Sequence, residues 1–279
     1  PQIFGYPPNC TGWMMAGGVL LNRNGERFFK KYFPDLAHEG QCLRTEINRA
    51  AAWEILEGRG SDHGMVYLNC SAVPREWMMT ARADMVSHFK RAGVDLTWQP
   101  MEVAPANHTW LGGLRVDEHC ASSTLPGLYA AGEAAGGWGG SNRLGGNALA
   151  ATLGSAIIAG ESAARRSRSG APGRIDPKQV AAEEAKIAGI WERASGVRPR
   201  QVKERIQGVV QENLWLKRDA KGMAAALETL ERIAADDVPR LSAGRGREQA
   251  RLLSVREALE AANLAQCGRL VAGAALVRK

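Results

Sequence analysis

Three segments of the chain carry side chains suited to holding a carboxylated, electron-accepting partner. In GGSNRLGGNAL, Arg143 stands inside a glycine-rich loop immediately before the expected start of a helix. A guanidinium pairs bidentately with a carboxylate, and Gly145 and Gly146 let the backbone come close to a ring or a phosphate. Asn142 lies in the same loop, and Asn147 is placed to cap the helix that follows, whose N-terminus offers partial positive charge to an electron-rich acceptor. Upstream, LYAA ends in Gly132 and Glu133, the position at which doubly wound nucleotide folds present a carboxylate to a ribose. His108, in NHTWLGG, follows Pro105 and precedes paired glycines, so its imidazole sits at a turn and can donate to a carboxylate. Taken singly, each has a commoner use: a surface ion pair, a loop acid, a structural histidine.

The elements that would position these residues follow from periodicity and punctuation. The first 105 residues mix strand-like runs, at 19–22 and 65–69, with a helical stretch at 45–57, an α+β pattern. An apolar run at 128–131 reads as a strand, then comes the glycine loop, then a small-residue helix at 148–165: the strand, loop and helix order of a cofactor site. Residues 167–177 are rich in Ser, Gly, Pro and Arg and read as a linker. Beyond it, 202–210, 223–235 and Glu248–Val277 have apolar residues at helical spacing and predict a small antiparallel helical domain. The expected fold class is therefore α+β and α/β, followed by an all-α unit.

Composition narrows the field. The 279 residues are 45% hydrophobic, enough for a sizeable core, and no apolar run approaches the length that spans a bilayer. The net charge of +7 sits mainly in Arg165, Arg166, Arg168 and the last hundred residues without a nucleic-acid motif, so it reads as a solvated helical face. Five scattered cysteines form no CxxC pair, which points to reduced thiols, a cytoplasmic setting and no metal site. Nothing at the start reads as a signal peptide, and Pro1 suggests that the natural start lies upstream.

The ordered segments HTWLGGLRVD, LPGLYAAGE and SNRLGGNAL resemble the HxxGG, GLYAAGE and NRLGGNSL pattern of the succinate dehydrogenase and fumarate reductase flavoprotein family. GVLLNRNGERFFKKYFP and LRTEINRAAAWEILEGRG are similar to signatures of that family's capping domain. The resemblance implies a partial capping domain at 1–105, the C-terminal portion of a Rossmann-like FAD-binding domain at 106–166, the linker at 167–177 and a helical domain at 178–279. It implies FAD as cofactor, a small dicarboxylate as substrate, a partner that is an iron-sulfur electron-transfer subunit, and peripheral membrane attachment only through such a partner. By position, Arg44 matches the family's proton-donating arginine, His108 and Arg143 match carboxylate ligands, and Glu133 matches a residue holding the FAD ribose. Asn142, Gly145, Gly146, Asn147 and Leu149 fall among the flavin contacts. The implied mechanism is hydride transfer between flavin N5 and one substrate carbon while Arg44 moves a proton at the next.

Two departures qualify the match. Arginine stays charged at neutral pH, so as an acid it needs a relay, and the family supplies one partly from an acid- and arginine-containing stretch where this chain has TGWMMAGG, residues 11–18. Glu46 or Glu39 would have to replace that acid, Thr11 lying near its place. Gly139 stands where many members have histidine. The GxGxxG half that binds the ADP of FAD has no counterpart here, so the chain reads as a fragment at both ends. L-aspartate oxidase, another superfamily enzyme with a changed substrate, and a non-catalytic docking module with a decayed flavin site are the alternatives.

Overall fold

The structure is a computed structural model that describes residues 10–36, 39–106, 109, 111–140, 146–170, 173, 175–215 and 217–278, apart from the side chain of Arg44. The chain divides into two compact units, Pro1–Gly170 and Ala171–Lys279.

In the first unit, α1 (Cys10–Met15) leads into β1 (Val19–Leu21), followed by α2 (Phe29–Tyr32), α3 (Arg44–Glu54), β2 (Val66–Asn69), α4 (Arg75–Ala81), α5 (Ala83–Arg91), β3 (Met101–Val103) and the long α6 (Asn147–Ser169). The three strands pair antiparallel in the order β1-β2-β3. Register puts Leu20 opposite Leu68, and Leu68 opposite Met101. These three side chains are buried in one row, as the period-two alternation of a one-sided sheet requires. Against that row pack Trp13, Phe29, Ile47, Met78 and Phe89. The helix expected to run to residue 57 ends its α-helical hydrogen bonding at Glu54, and Ile55–Arg59 closes as a wider π turn with Gly58 at φ 78°. The run at 128–131 forms no ladder; Tyr129 makes a single bridge with Ala121.

In the second unit α7 (Pro177–Glu192), α8 (Pro199–Asn213), α9 (Ala220–Arg232) and α10 (Glu248–Val277) form an all-α core. Proline at the first helical position starts α7 and α8. The carboxylates of Asp176 and Asp219 accept the amides of Lys178 and Gly222 at 2.9 and 2.8 Å, capping α7 and α9. Along α10 the buried residues are Ala258, Ala261, Ala265, Gly268 and Ala272, a small-residue face that lets α8 and α9 come close. A Cβ on Gly268 would stand 3.2 Å from the Leu230 side chain.

None of the five cysteines is in a disulfide: Cys42, Cys70 and Cys120 are buried, Cys10 is half-buried and Cys267 exposed. No helix among the described residues is long and apolar enough to cross a membrane, and no group of three His, Cys, Asp or Glu among them is arranged to hold a metal.

Candidate functional site

The segments that carry the sequence signal are laced together by backbone. The amide of Leu114 donates to the Ala134 carbonyl at 2.8 Å, and the amide of Gly136 donates to the Leu114 carbonyl at 2.9 Å. This brings the paired-glycine segment alongside the turn that follows LYAA. Gly113 is required by close approach, since a Cβ there would lie 2.3 Å from the Ala134 oxygen. The turn itself, Gly132–Ala134, is a 3-10 turn that holds Glu133 exposed. Its Gly132 amide donates to the Ser155 hydroxyl at 2.8 Å, and that hydroxyl donates back to the Ala151 carbonyl at 2.6 Å. The turn is thereby pinned to the early turns of α6.

At the start of α6 the expected cap is corrected. Asn147 is the first helical residue, and Gly146 is the cap, at φ 85° in the left-handed region that glycine occupies without a steric cost. Gly146 has no side chain with which to cap this helix start, in contrast to Asp176 and Asp219 at α7 and α9, and a helix N-terminus of this kind suits an anionic acceptor. Leu149 is 68% exposed in that first turn. Glu133, Gly146, Asn147 and Leu149 thus share one pair of packed elements. A helix start with a left-handed glycine, and an exposed carboxylate on a turn packed against the same helix, are groups that suit a dinucleotide such as FAD.

Arg44 stands on a different element, as the first residue of α3. Of the two acids expected to serve it, Glu46 accepts the Leu43 amide at 2.9 Å and so closes the helix start. Glu39 is 5% exposed, accepts the Leu20 amide at 3.2 Å and pairs with Arg27 at 3.3 Å. Burial outweighs these partners and pushes its carboxyl above the usual range. Between them, the Cys42 thiol is pushed up to about 12 by burial and by the Glu46 carboxylate. His108, Asn142, Arg143 and Gly145 lie outside the described residues.

A second constellation escaped the sequence reading. Glu54, fully buried at the end of α3, accepts from Arg59 at 2.6 and 2.7 Å, from the Tyr32 hydroxyl at 2.7 Å, from the Asn22 amide at 3.0 Å and from Lys31 at 3.2 Å. Burial alone would raise its pKa; the donors, Arg59 foremost, hold it well below the carboxylate range. Asn22 completes the knot, its carbonyl oxygen accepting the amides of Asn24 and Glu26 at 3.0 and 3.1 Å. All five residues belong to the two capping-domain signatures; the signal lay in the polar residues that recur within otherwise apolar motifs.

Residues 9–149 match the FAD binding domain family. A fumarate reductase (CoM/CoB) subunit of Methanothermobacter marburgensis is 35% identical over 285 residues, 98% of this chain and 50% of that protein. The mitochondrial succinate dehydrogenase [ubiquinone] flavoprotein subunit of Oryza sativa subsp. japonica is 34% identical over 221 residues, 71% of this chain and 33% of that protein. The solved structure of Mycobacterium smegmatis Sdh1 in complex with UQ1 superposes with a TM-score of 0.80 at 31% identity, over 96% of this chain and 44% of the other. The chain spans at most about half the length of these relatives.

Proposed function

Since the chain belongs to the FAD binding domain family, we propose that the whole protein is an FAD-dependent oxidoreductase acting on the CH–CH bond of a four-carbon dicarboxylate such as succinate or fumarate. The observation that carries this reading is the laced turn at Gly113, Ala134 and Ser155, which packs the turn bearing Glu133 against α6, the helix that follows the glycine-rich loop.

Oxidising succinate to fumarate removes two electrons and two protons, and FAD, when bound, supplies the two-electron acceptor. The chain's own residues do the rest. In this proposal Glu133 accepts the ribose hydroxyls, while Asn142, Gly145, Gly146, Asn147 and Leu149 line the isoalloxazine. Arg143 and His108 take the substrate carboxylates, and their positive and polar groups hold the carbon skeleton flat against the ring face. Arg44 carries the proton of the second carbon. Because a guanidinium returns at once to its charged form, a carboxyl must exchange that proton with it. Buried Glu39, whose burial favours its protonated form, and Glu46 are the two acids that α3 and its approach provide. Residues 1–105 serve as the cap over the substrate, 106–166 as the distal part of the flavin domain, 167–177 as a linker, and 178–279 as the helical domain. A separate iron-sulfur protein receives the electrons, and any membrane attachment runs through it.

The test uses the full-length protein with its flavin. Bleaching of the flavin absorbance by succinate, and its return with fumarate, is expected, and Arg44→Lys or Arg143→Lys should lower kcat/KM by at least about a hundredfold, as loss of a positioned hydrogen-bond donor does. Flavin bleached by aspartate instead would reassign the substrate. Bound flavin unmoved by any of the three would overturn the reading.

A further inference from the structure

Between α1 and α4 lies a groove of about 400 Å³ lined by Gly12, Met15, Ala16, Pro74 and Trp77. That volume falls within the range of small-molecule sites, and no lining side chain is charged. We propose that this groove receives a hydrocarbon substituent of the substrate, so that the preferred substrate is a dicarboxylate carrying an apolar side chain. The inference rests on the dicarboxylate reading above and specifies its substrate class.

Three features argue for it. The first is a rigid aromatic wall. Trp77 meets Trp13 edge to face at 5.3 Å, and the Arg82 guanidinium stands 5.3 Å from the Trp77 ring centroid. Trp13 is wholly buried, so the wall has a fixed backing. Gly12 leaves room for Arg82 to reach this position, since a Cβ there would lie 2.8 Å from its Nη2. The second feature is an apolar rim, where Met15, a large hydrophobic side chain at the groove edge, is 69% exposed.

The third is location. The Met15 backbone lies against Gly40, where a Cβ would stand 2.8 Å from the Met15 Cα. Gly40 is the centre of the turn Glu39–Gln41, which leads through Cys42 and Leu43 directly into Arg44. The groove therefore borders the segment that delivers the proton-moving arginine. One side of it is built from the apolar stretch GWMMA, residues 12–16. Succinate has only two methylenes between its carboxylates and nothing to place in such a groove. A 2-alkyl group fills it and removes apolar surface from water on both sides.

The experiment compares succinate with its 2-methyl, 2-ethyl and 2-propyl derivatives on the full-length, flavin-loaded protein, reading flavin bleaching. In parallel, calorimetry measures binding of the matching 2-alkylmalonates, in which one carbon bears both carboxylates, so that no CH–CH bond lies between them. Both kcat/KM and affinity are expected to rise about fourfold per added methylene, the factor that corresponds to about 0.8 kcal/mol for each buried CH2. Ala16→Leu, which fills the groove, and Trp77→Ala, which removes its wall, should each cut the propyl-to-unsubstituted ratio by about tenfold or more. Two variants of opposite kind guard against one of them failing to fold. A flat or falling series with succinate still active would overturn the groove assignment and leave the dicarboxylate reading standing. No reaction and no binding with any of the acids would overturn both.

Discussion

Replacing Glu54 by glutamine leaves the shape of its site intact and removes the charge on which Arg59, Lys31, Tyr32 and Asn22 converge. Breaking a buried ion pair from one side strands the other, so Glu54→Gln should lower stability by about 3 kcal/mol in urea unfolding. The pH dependence has a defined sign. The folded-state pKa of Glu54 lies below its unfolded value of about 4.3, so the unfolded chain binds the extra proton. Its contribution is whole above that value and is lost as pH falls further, through the folded pKa. Wild-type protein should lose stability steeply below about pH 4.3, and the variant less steeply, which an acid titration of the unfolding midpoint reads directly. At this scale the sequence was legible in residue types and silent on partners. Asn22, Tyr32, Glu54 and Arg59 all lie in motifs with a recognisable pattern, yet nothing in one dimension says that four separate segments meet at one carboxylate.

Elements are held in place by glycines whose missing side chains matter more than their flexibility. Gly113→Ala puts a carbon 2.3 Å from the Ala134 oxygen, against backbone that has no rotamer to yield. The expected cost is about 1–3 kcal/mol, with weaker flavin retention in the full-length protein on gel filtration, because the Glu133 turn is displaced. In the helical unit Gly268→Leu drives a branched side chain into Leu230 and should lower the melting temperature by several degrees. Long periodic helices are the elements a sequence shows well, and α10 spans the same residues, Glu248–Val277, that its apolar spacing predicts. Three-residue strands show poorly: β3 has too few residues for an alternation to register, and its place is decided by Val66 and Leu68 across the ladder. The start of α6 misled for a different reason. Asparagine is a common cap, but the preceding glycine takes the left-handed backbone and shifts the boundary by one residue.

The described residues form two cores, one around Trp13, Leu68 and Phe89 and one around Ile206, Leu230 and Ala265. Residues 171–279 expressed alone should therefore unfold cooperatively by circular dichroism, and Gly268→Leu should shift that transition as it does in the longer chain. At this scale the family was readable from linked motifs, because their order and spacing survive where single residues would be ambiguous. The apolar character of α1 was readable too, but not the groove it builds with α4, since Trp77 lies far along the chain from Gly12. The distribution of thiols has a practical consequence. Thiolates are what alkylating reagents attack, and burial keeps Cys42 and Cys70 protonated up to about 12, with half-buried Cys10 at about 11. Cys267 alone among the cysteines is exposed, on α10, so a maleimide dye at neutral pH marks that helix first. One covalent tag, placed on this chain without engineering, then reports on the helical unit.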